Sequence, residues 1–286
     1  MEKETTSAGG RLYLAATPIG NLGDMTRRGL EVLAAADLIA AEDTRHTRKL
    51  LAHYDIHTPL TSYHEHNKSQ KGAELIAALQ VGKQVVCVSD AGLPGIADPG
   101  SDLVKLAIAA GIPVSPLPGA NAALSALICS GLSTEAFTFV GFLPPKKLKR
   151  QEILTRLAAY PETIIFYEAP HRLIDTLAQI AACFGKNRPA ALAREMTKKF
   201  EEFQRGTLGE LIAKVAAVSP RGEYVLVVAG KAENTKDAAE KISPADILAY
   251  YDELFVSLGD KKEAMRRTAK HFAISRRDVY SALLTR

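Results

Sequence analysis

The chain has 286 residues, of which 47% are hydrophobic and 24% are charged. This composition is typical of a globular protein and argues against a fibrous repeat or a disordered chain. The length allows two domains of ordinary size and an appendage. A net charge of +4 is too small over this length to indicate a nucleic-acid partner by itself.

No apolar segment reaches the roughly 18 residues that a membrane span needs, and the polar stretch from Met1 to Arg11 has no signal-peptide core. We therefore expect a cytoplasmic protein. The three cysteines, Cys87, Cys129 and Cys183, lie far apart among apolar neighbours. We expect buried free thiols rather than a metal site or a disulfide.

Residues 11–118 alternate short β-rich runs with amphipathic segments, which predicts five strands and four helices. The run VVCVS is apolar throughout, as expected for a strand that crossover helices cover on both faces. These residues are therefore predicted to form an N-terminal α/β domain with a parallel sheet. Gly82 and Gly111 are predicted to end two of the helices in the left-handed conformation.

Residues 119–235 predict a second α/β domain. Its strands are expected in TFVGFLP, TIIFYEA, AALAREM and YVLVVAG, and its helices in LIDTLAQIAACFG and LGELIAKVAAV. The less regular spacing of these runs favours a mixed sheet. The polar composition between Gly230 and Ser243 is typical of a linker.

Residues 241–286 predict a small helical module with three amphipathic segments. Ser243 and Pro244 supply a helix cap and a proline at the first helical position. The last two segments have the spacing of a helix-turn-helix, with Ser275 as the second cap. Nine Lys and Arg against six Asp and Glu give the module a basic surplus. It is either an RNA-binding module or a packing unit with a solvated basic face.

The strand ends of the first domain carry the strongest functional signals, because ligands of open α/β sheets bind beyond the carboxyl ends of the strands. Residues 89–100 contain three glycines, two prolines and two aspartates. Glycines let a ligand approach the backbone closely, and prolines hold a loop rigid. Asp90 and Asp98 are candidate polar contacts, although Asp98 is also placed to cap the next helix. The loop after the first strand lacks the first glycine of the dinucleotide fingerprint, which disfavours a dinucleotide site.

Seven motifs, in the same order, resemble those of a known family: ATPIGNLGDMT, AEDTRHTRKLL, SDAGLPGIADPG, PLPGAN, FVGFLP, FYEAPHR and REMTKKFEEFQRG. They are similar to the small-subunit ribosomal RNA 2′-O-methyltransferase I family of the tetrapyrrole methylase superfamily, from about Leu12 to Gly230. The resemblance implies a two-domain α/β fold that binds S-adenosyl-L-methionine in the cleft between the domains. It also implies a homodimer, and methyl transfer to a cytidine 2′-hydroxyl in the decoding region of small-subunit (16S) ribosomal RNA, free or in the assembled subunit.

The family pattern also implies which residues of this chain contact the cofactor. They lie in the loop after the fourth strand, in the turn after the fifth strand and in the second domain. In this sequence they are Ser89, Asp90, Ala91, Gly92, Pro94, Ile96, Ala97, Asp98, Pro118, Gly119, Ala120, Asn121, Phe142, Leu143, Glu168 and Ala169. Methyl transfer from a sulfonium requires no metal, and the sequence shows no clustered metal ligands.

A ribose hydroxyl is a weak acid, so a nearby general base would accelerate its methylation. Glu42 and Asp43, at the end of the second predicted strand, are the first candidates. Asp43 is also placed to cap the following helix. Asp24, His64 and Glu195 are alternatives that the sequence leaves open.

Candidate RNA-binding residues are basic side chains near the cleft, in the basic segment 145–156 and in the C-terminal module. They are Arg45, Lys146, Lys147, Lys149, Arg150, Arg172, Arg194, Lys198, Arg266, Arg267, Arg276 and Arg277. The four nearest the cleft, Arg45, Arg172, Arg194 and Lys198, are equally suited to pairing with the acids there.

Two other functions fit the sequence less well. A tetrapyrrole C-methyltransferase would share the cofactor site, but a compact macrocycle needs neither the basic segment nor the basic module. A DNA-binding regulator with a ligand-sensing α/β core would not need the polar stretches AEDTRHTR and YHEHN at the strand ends.

Overall fold

The computed structural model describes residues 9–98, 100–218, 220–232, 243–272 and 274–284. The chain forms two compact units, one that extends to Lys231 and contains both sheets, and one that begins at Ala232. Residues 233–242 of the predicted linker lie outside the described residues. The predicted division of the sheet-bearing part into domains 11–118 and 119–235 stays a prediction.

The first sheet has five parallel strands in the order β3-β2-β4-β1-β5. A short 3₁₀ helix, Leu22–Asp24, follows the first strand. The elements are β1 (Arg11–Ala15), α1 (Arg27–Ala35), β2 (Leu38–Ala41), α2 (Thr44–His53), β3 (Leu60–Ser62), α3 (Lys68–Gln80), β4 (Gln84–Val88), α4 (Gly100–Ala109) and β5 (Val114–Leu117). The predicted parallel sheet, with its five strands and four helices, is confirmed.

Strand β4 shows why its sequence is apolar without interruption. Val85 and Cys87 pack into one buried cluster, and Val86 and Val88 pack into another. Successive side chains of a strand point to opposite faces, so helices cover this strand on both sides. Gly82 after α3 and Gly111 after α4 have φ of 93° and 70°, as predicted.

The second sheet is mixed, as predicted, with the order β6-β7-β10-β8-β9. Strands β6 and β7 are parallel, and the other neighbours are antiparallel. The elements are α5 (Ala122–Ser130), β6 (Phe137–Phe142), α6 (Lys147–Leu157), β7 (Thr163–Glu168), α7 (Leu173–Phe184), β8 (Pro189–Arg194), β9 (Glu202–Thr207), α8 (Leu208–Ala216) and β10 (Tyr224–Val228).

The sequence did not predict α5, α6 and β9. Strand β9 lies at the edge of the sheet and pairs only with β8, so its sequence, EFQRGT, is polar. Helix α5 is built from small residues, and Ala123, Ala126 and Leu127 pack with Val225 and Val227 of β10. Small side chains let a helix approach a sheet closely, which explains why this segment is rich in small residues. The same small residues leave the segment without a strong helical period of large apolar side chains, so the sequence did not predict a helix there.

The expectation of three buried thiols is wrong for Cys129. All three cysteines are free, but only Cys87 is buried, while Cys183 is half-buried and Cys129 is exposed. Cys129 lies on the outer side of α5, which buries only the face that packs on the sheet. Apolar neighbours in sequence therefore did not predict burial on this short helix.

Helix α6 contains most of the basic segment, and its basic side chains divide into two kinds. Lys147 and Lys149 are exposed. Arg150 is only 4% exposed and donates hydrogen bonds to Gln179 Oε1, at 2.7 Å, and to Asp175 of α7. Arg150 therefore joins α6 to α7, and its burial sets it apart from the exposed lysines of this helix as an RNA-binding candidate.

The second unit contains α9 (Pro244–Leu258), α10 (Lys261–His271) and α11 (Arg276–Leu284). All three contribute to one apolar cluster, with Tyr251, Ala264 and Val279 among its buried members. The predicted caps are present: Ser243 forms a capping box with Asp246, and Ser275 Oγ accepts from Asp278 N at 3.1 Å. Within the described ranges, no helix combines the length and the apolar character needed to cross a membrane.

Replacing Arg150 with alanine should destabilise the fold by about 1 to 3 kcal/mol, because it removes two side-chain hydrogen bonds, one to a charged group. Lys149→Ala changes an exposed neighbour on the same helix and should leave the free energy of unfolding unchanged. Denaturant unfolding of both variants is the measurement. Equal stability of the two would contradict the structural role of Arg150.

Candidate functional site

The loops that follow β1 and β4 are joined directly. We call residues 17–24 the β1 loop and residues 89–98 the β4 loop. Thr17 N donates to Gly92 O at 2.9 Å, and Gly92 N donates to Thr17 O at 3.0 Å. The Thr17 hydroxyl also donates to Ser89 O at 3.1 Å. The two loops therefore form one unit at the carboxyl edge of the first sheet.

The β4 loop is held in an unusual conformation. Gly92, Gly95 and Ala97 have φ of 83°, 90° and 66°. This region is costly for alanine, and such strain is often found at ligand sites. Asp98 Oδ1 accepts from Gly95 N at 2.6 Å and from Gly100 N at 2.8 Å. Asp98 therefore caps α4 and fixes the loop, and burial raises the pKa of its carboxyl group.

Glu42 and Asp90 link the ends of β2 and β4. Asp90 N donates to Glu42 Oε2 at 3.3 Å, and Asp43 N donates to Asp90 Oδ1 at 3.0 Å. Burial raises the pKa of Glu42, and the nearby charges of Asp90, Asp98 and Asp43 raise it further. Glu42 is thus a desolvated carboxyl group with a strengthened affinity for protons.

Asp43 has a different environment from its neighbour. Its Oδ1 accepts from Arg45 N at 2.8 Å, and its Oδ2 lies 2.7 Å from the Arg45 guanidinium. The hydrogen bonds from Arg45 hold the pKa of Asp43 well below its usual range. Asp43 therefore caps α2, the alternative that the sequence left open, and Arg45 is its partner.

A strained turn follows β8. We call Glu195–Lys198 the β8 turn. Glu195 and Thr197 have φ of 48° and 65°, although neither is glycine. Lys198 Nζ lies 3.0 Å from Glu195 Oε1. A Cβ at position 222 would overlap this carboxylate, so Gly222 provides the space that Glu195 occupies.

The first cavity, with a volume of about 270 Å³, lies where the β4 loop faces the second sheet. Ten of the sixteen predicted cofactor residues line it: Ser89, Asp90, Ala91, Gly92, Ile96, Ala97, Asp98, Asn121, Phe142 and Glu168. The others do not line it: Pro94, Pro118, Gly119, Ala120, Leu143 and Ala169. Leu143 is a core residue, only 1% exposed, and a Cβ at Gly119 would lie 2.8 Å from the Cβ of Ala16.

Several residues of this cavity were missed by the sequence analysis. The Tyr167 ring lies 5.5 Å from Phe142, and its hydroxyl accepts from Ala123 N at 3.2 Å. Tyr224 begins β10 opposite the end of β8. Tyr167 lies in the motif FYEAPHR, directly before the predicted Glu168, and was passed over there. Tyr224 reaches the cavity only through the antiparallel pairing of β10, so no local signal was available for it. The remaining missed residues are Ile19, Leu93, Ala122, Met196, Glu223 and Val225.

The second cavity, of about 670 Å³, is contiguous with the first. Ile19, Asp90, Ala91, Glu195, Lys198 and Glu223 line both, and we call these six residues the shared wall. The second cavity alone includes parts of the β1 loop, Gly222 and three residues of α2, namely His46, Lys49 and Leu50.

The remaining candidates lie elsewhere or are paired. Asp24 and His64 line neither cavity. Arg172 Nε lies 3.3 Å from Glu168, whose buried carboxylate also accepts from the Thr176 hydroxyl at 2.6 Å. The guanidinium of Arg194 lies 3.6 Å from Glu202 Oε2. Among the described residues, no group of three or more His, Cys, Asp and Glu side chains is placed to hold a metal ion.

Residues 11–212 match the family model described as Tetrapyrrole (Corrin/Porphyrin) Methylases. The chain belongs to this family. Its relatives include proteins named Ribosomal RNA small subunit methyltransferase I. That of Halalkalibacterium halodurans is 48% identical, covering 95% of this chain and 94% of the relative. The relative from Synechocystis is 47% identical, and the match covers 96% of this chain and 98% of the relative.

Solved structures of similar fold confirm the predicted fold class. Uroporphyrin-III C-methyltransferase from Thermus thermophilus has a TM-score of 0.55 at 22% identity, covering 77% of this chain and 94% of that one. Diphthine synthase has a TM-score of 0.59 at 14% identity, and the match covers 78% of this chain and 90% of that one. A further structure of the Thermus enzyme, complexed with S-adenosylhomocysteine, has a TM-score of 0.54 at 18% identity, covering 77% and 97%. At these identities the likeness shows the fold alone.

Replacing Glu42 with glutamine should stabilise the ligand-free protein at neutral pH. The folded-state pKa is raised above the ordinary value of 4.5, so ionisation of Glu42 weakens folding as the pH rises through and above that value. The gain in melting temperature should be present at pH 7 and shrink toward pH 4.5. Glu152→Gln, at an exposed site on α6, is the control. A gain that does not change with pH would contradict the desolvation of Glu42.

Proposed function

We propose that this protein is an S-adenosylmethionine-dependent methyltransferase that modifies the 2′-hydroxyl of a cytidine in the decoding region of small-subunit ribosomal RNA. The observation that carries the proposal is a pair of contiguous cavities with a shared, carboxylate-rich wall. Relatives of the same length, 47% and 48% identical, are named as ribosomal RNA small subunit methyltransferases. We also propose that it acts in the cytoplasm, where its substrate is made.

The first cavity fits the chemistry of S-adenosylmethionine. The ligand carries a flat aromatic base, a ribose with two hydroxyl groups and a positively charged sulfonium. Phe142 and Tyr167 offer aromatic surface for the base, and Glu42 and Asp90 offer carboxylates for hydroxyl groups or positive charge. The β4 loop lines this cavity at Gly92 and at Ala91, which is exposed. When bound, the cofactor supplies an electrophilic methyl group.

The second cavity is the proposed place of the target nucleotide. A methyl acceptor in the second cavity would approach the cofactor beside the shared wall, which includes Asp90, Glu195 and Lys198. Holding two reactants in line lowers a barrier by about 7 to 11 kcal/mol. The protein's main contribution is therefore to hold the hydroxyl at this wall, and the strained β4 loop and β8 turn provide rigid surfaces for it.

We propose that Glu195 accepts the hydroxyl proton. Glu195 lines both cavities, whereas Glu42 lines only the first and Asp43 is engaged in capping α2. Lys198 contacts Glu195 Oε1 and fixes the carboxylate, which leaves Oε2 for the proton. Glu42 then contributes to the polar wall of the cofactor cavity.

Glu195→Gln should lower the single-turnover rate of methyl transfer by about 10² to 10⁴, the usual contribution of a general base. Cofactor affinity should stay unchanged, since the amide keeps the size of the side chain. Glu42→Gln is the matched comparison on the opposite wall, and Asp43→Asn tests the helix cap. A larger rate loss in Glu42→Gln, with cofactor affinity intact, would assign the base to Glu42 instead.

RNA contacts are proposed for exposed basic side chains outside the cavities. Lys146, Lys147 and Lys149 are exposed beside the start of α6. Arg276 and Arg277 are exposed in the first turn of α11, where positive charge is unfavourable to the helix dipole. Because these two arginines destabilise the start of the helix, their presence there favours the binding of an anionic partner. Arg266 and Arg267 both pair with Glu263, at 2.6 and 2.9 Å, and lie on the same small unit.

A protein that ends at Lys231 should bind the cofactor normally and RNA more weakly, because the second compact unit begins at Ala232. Each lost phosphate contact on a single strand should make the salt dependence of log K shallower by about 0.7. Calorimetry and RNA binding at several salt concentrations are the measurements. Unchanged RNA affinity and salt slope would show that the helical unit serves packing alone.

We further propose that the protein is a homodimer, as the resemblance implies. Helix α5 exposes Leu124 and Ile128, by 45% and 73%, one turn apart on its outer face. Light scattering should give twice the mass of the 30.8 kDa chain, and Ile128→Glu should shift it toward the monomer. A monomeric wild-type protein would overturn this proposal.

Methyl incorporation measured side by side into free ribosomal RNA, small ribosomal subunits, a tetrapyrrole and DNA tests the function directly. We expect incorporation into ribosomal RNA, free or assembled, and 2′-O-methylcytidine on nucleoside analysis. Incorporation into the tetrapyrrole alone would contradict the proposal and support a C-methyltransferase.

A further inference from the structure

The second cavity has a positive side and a negative side. Helix α2 provides His46 and Lys49, which line the second cavity but not the first. The three carboxylates of this cavity, Asp90, Glu195 and Glu223, all belong to the shared wall. A ligand in this cavity would therefore meet positive charge toward α2 and negative charge toward the cofactor cavity.

The basic residues of α2 differ in their surroundings. Arg45 is paired with Asp43 at 2.7 Å and stabilises the start of the helix. Arg48 is exposed and lines neither cavity. His46 and Lys49 are three positions apart, on neighbouring surface sites of one helix face. In the part of the chain that the structure describes, no acidic side chain lies within 4.0 Å of the Lys49 ammonium, so it is available to an external anion.

The structure of ribose explains why a methyl acceptor would suit a cavity with one positive and one negative side. The 2′-hydroxyl is attached to the carbon next to the one that bears the 3′-phosphate. A 2′-hydroxyl placed at the shared wall therefore brings its own 3′-phosphate into the same cavity. The carboxylates of the wall repel that phosphate, and among the described residues the only lysine or arginine of this cavity outside the wall is Lys49 of α2.

We propose that His46 and Lys49 bind the 3′-phosphate of the target nucleotide and thereby position its 2′-hydroxyl at the shared wall. This inference rests on the proposed function and deepens it, since it names the group of the RNA that the second cavity recognises. Lys49 supplies a charged donor, and His46 supplies a ring N–H in either protonation state. Both are positioning residues, because neither is placed beside the reacting atoms.

Lys49→Ala should lower kcat/KM for methyl incorporation into small-subunit ribosomal RNA by about tenfold, the scale of one lost charge-assisted contact. The salt slope of RNA binding should become shallower by about 0.7. His46→Ala should cause a smaller loss of the same kind, and Lys49→Arg should retain most of the activity. Arg48→Ala removes an equal charge from the same helix outside the cavity and is the control. Melting curves and cofactor calorimetry should be unchanged in all four.

A substrate RNA with a neutral methylphosphonate at the 3′ side of the target nucleotide tests the assignment to one phosphate. The wild type should lose about the same tenfold on this substrate, and Lys49→Ala should lose no further activity. Equal behaviour of Lys49→Ala and Arg48→Ala in an active enzyme would overturn this inference alone. A wild-type protein that methylates no RNA would overturn both the inference and the proposed function.

Discussion

Two backbone hydrogen bonds between Thr17 and Gly92 join the two loops that both line the two cavities. They join the β1 loop to the β4 loop, whose conformation depends on Gly92, Gly95 and Ala97 at positive φ. Ile19, two residues after Thr17, packs with the apolar cluster of the second sheet and lines both cavities. The same contact therefore ties the β4 loop to the β1 loop, which packs against the second sheet through Ile19.

Charge is distributed unevenly around this junction. Glu42, Asp90 and Asp98 lie close enough to one another that burial and mutual repulsion raise the pKa of Glu42. Lys49 of α2 lines the second cavity and not the first. Such an arrangement suits a positively charged methyl donor on one side and a phosphate-bearing acceptor on the other. The ionised form of Glu42 is disfavoured by this environment, which is common among groups at ligand sites.

Local patterns in the sequence were sufficient for much of this architecture. The uninterrupted apolar run of β4 predicted a buried parallel strand, and Gly82 and Gly111 predicted helix ends. The glycines and prolines of the β4 loop predicted a ligand site, and the family resemblance implied sixteen residues for it, ten of which line the first cavity. Glu223 and Tyr224 were missed because antiparallel pairing between distant segments, rather than any local pattern, brings them to the site. Lys49 was missed because its position on a helix face matters only once the cavity is known.

The role of single residues depended on contacts that the sequence does not specify. Asp43 and Glu42 are adjacent, yet one caps a helix and the other faces a cavity. Arg150 and Lys149 are adjacent, yet one is buried against α7 and the other is exposed. In both pairs the two side chains point in different directions, and that direction decides what each residue contacts.

A crystal structure of the protein with S-adenosylhomocysteine tests the central claim most directly. The account predicts that the ligand lies in the first cavity, against the β4 loop and beside Phe142 and Tyr167, and leaves His46 and Lys49 free. A ligand bound in the second cavity, in contact with α2, would contradict both the proposed order of cofactor and acceptor and the role of the shared wall.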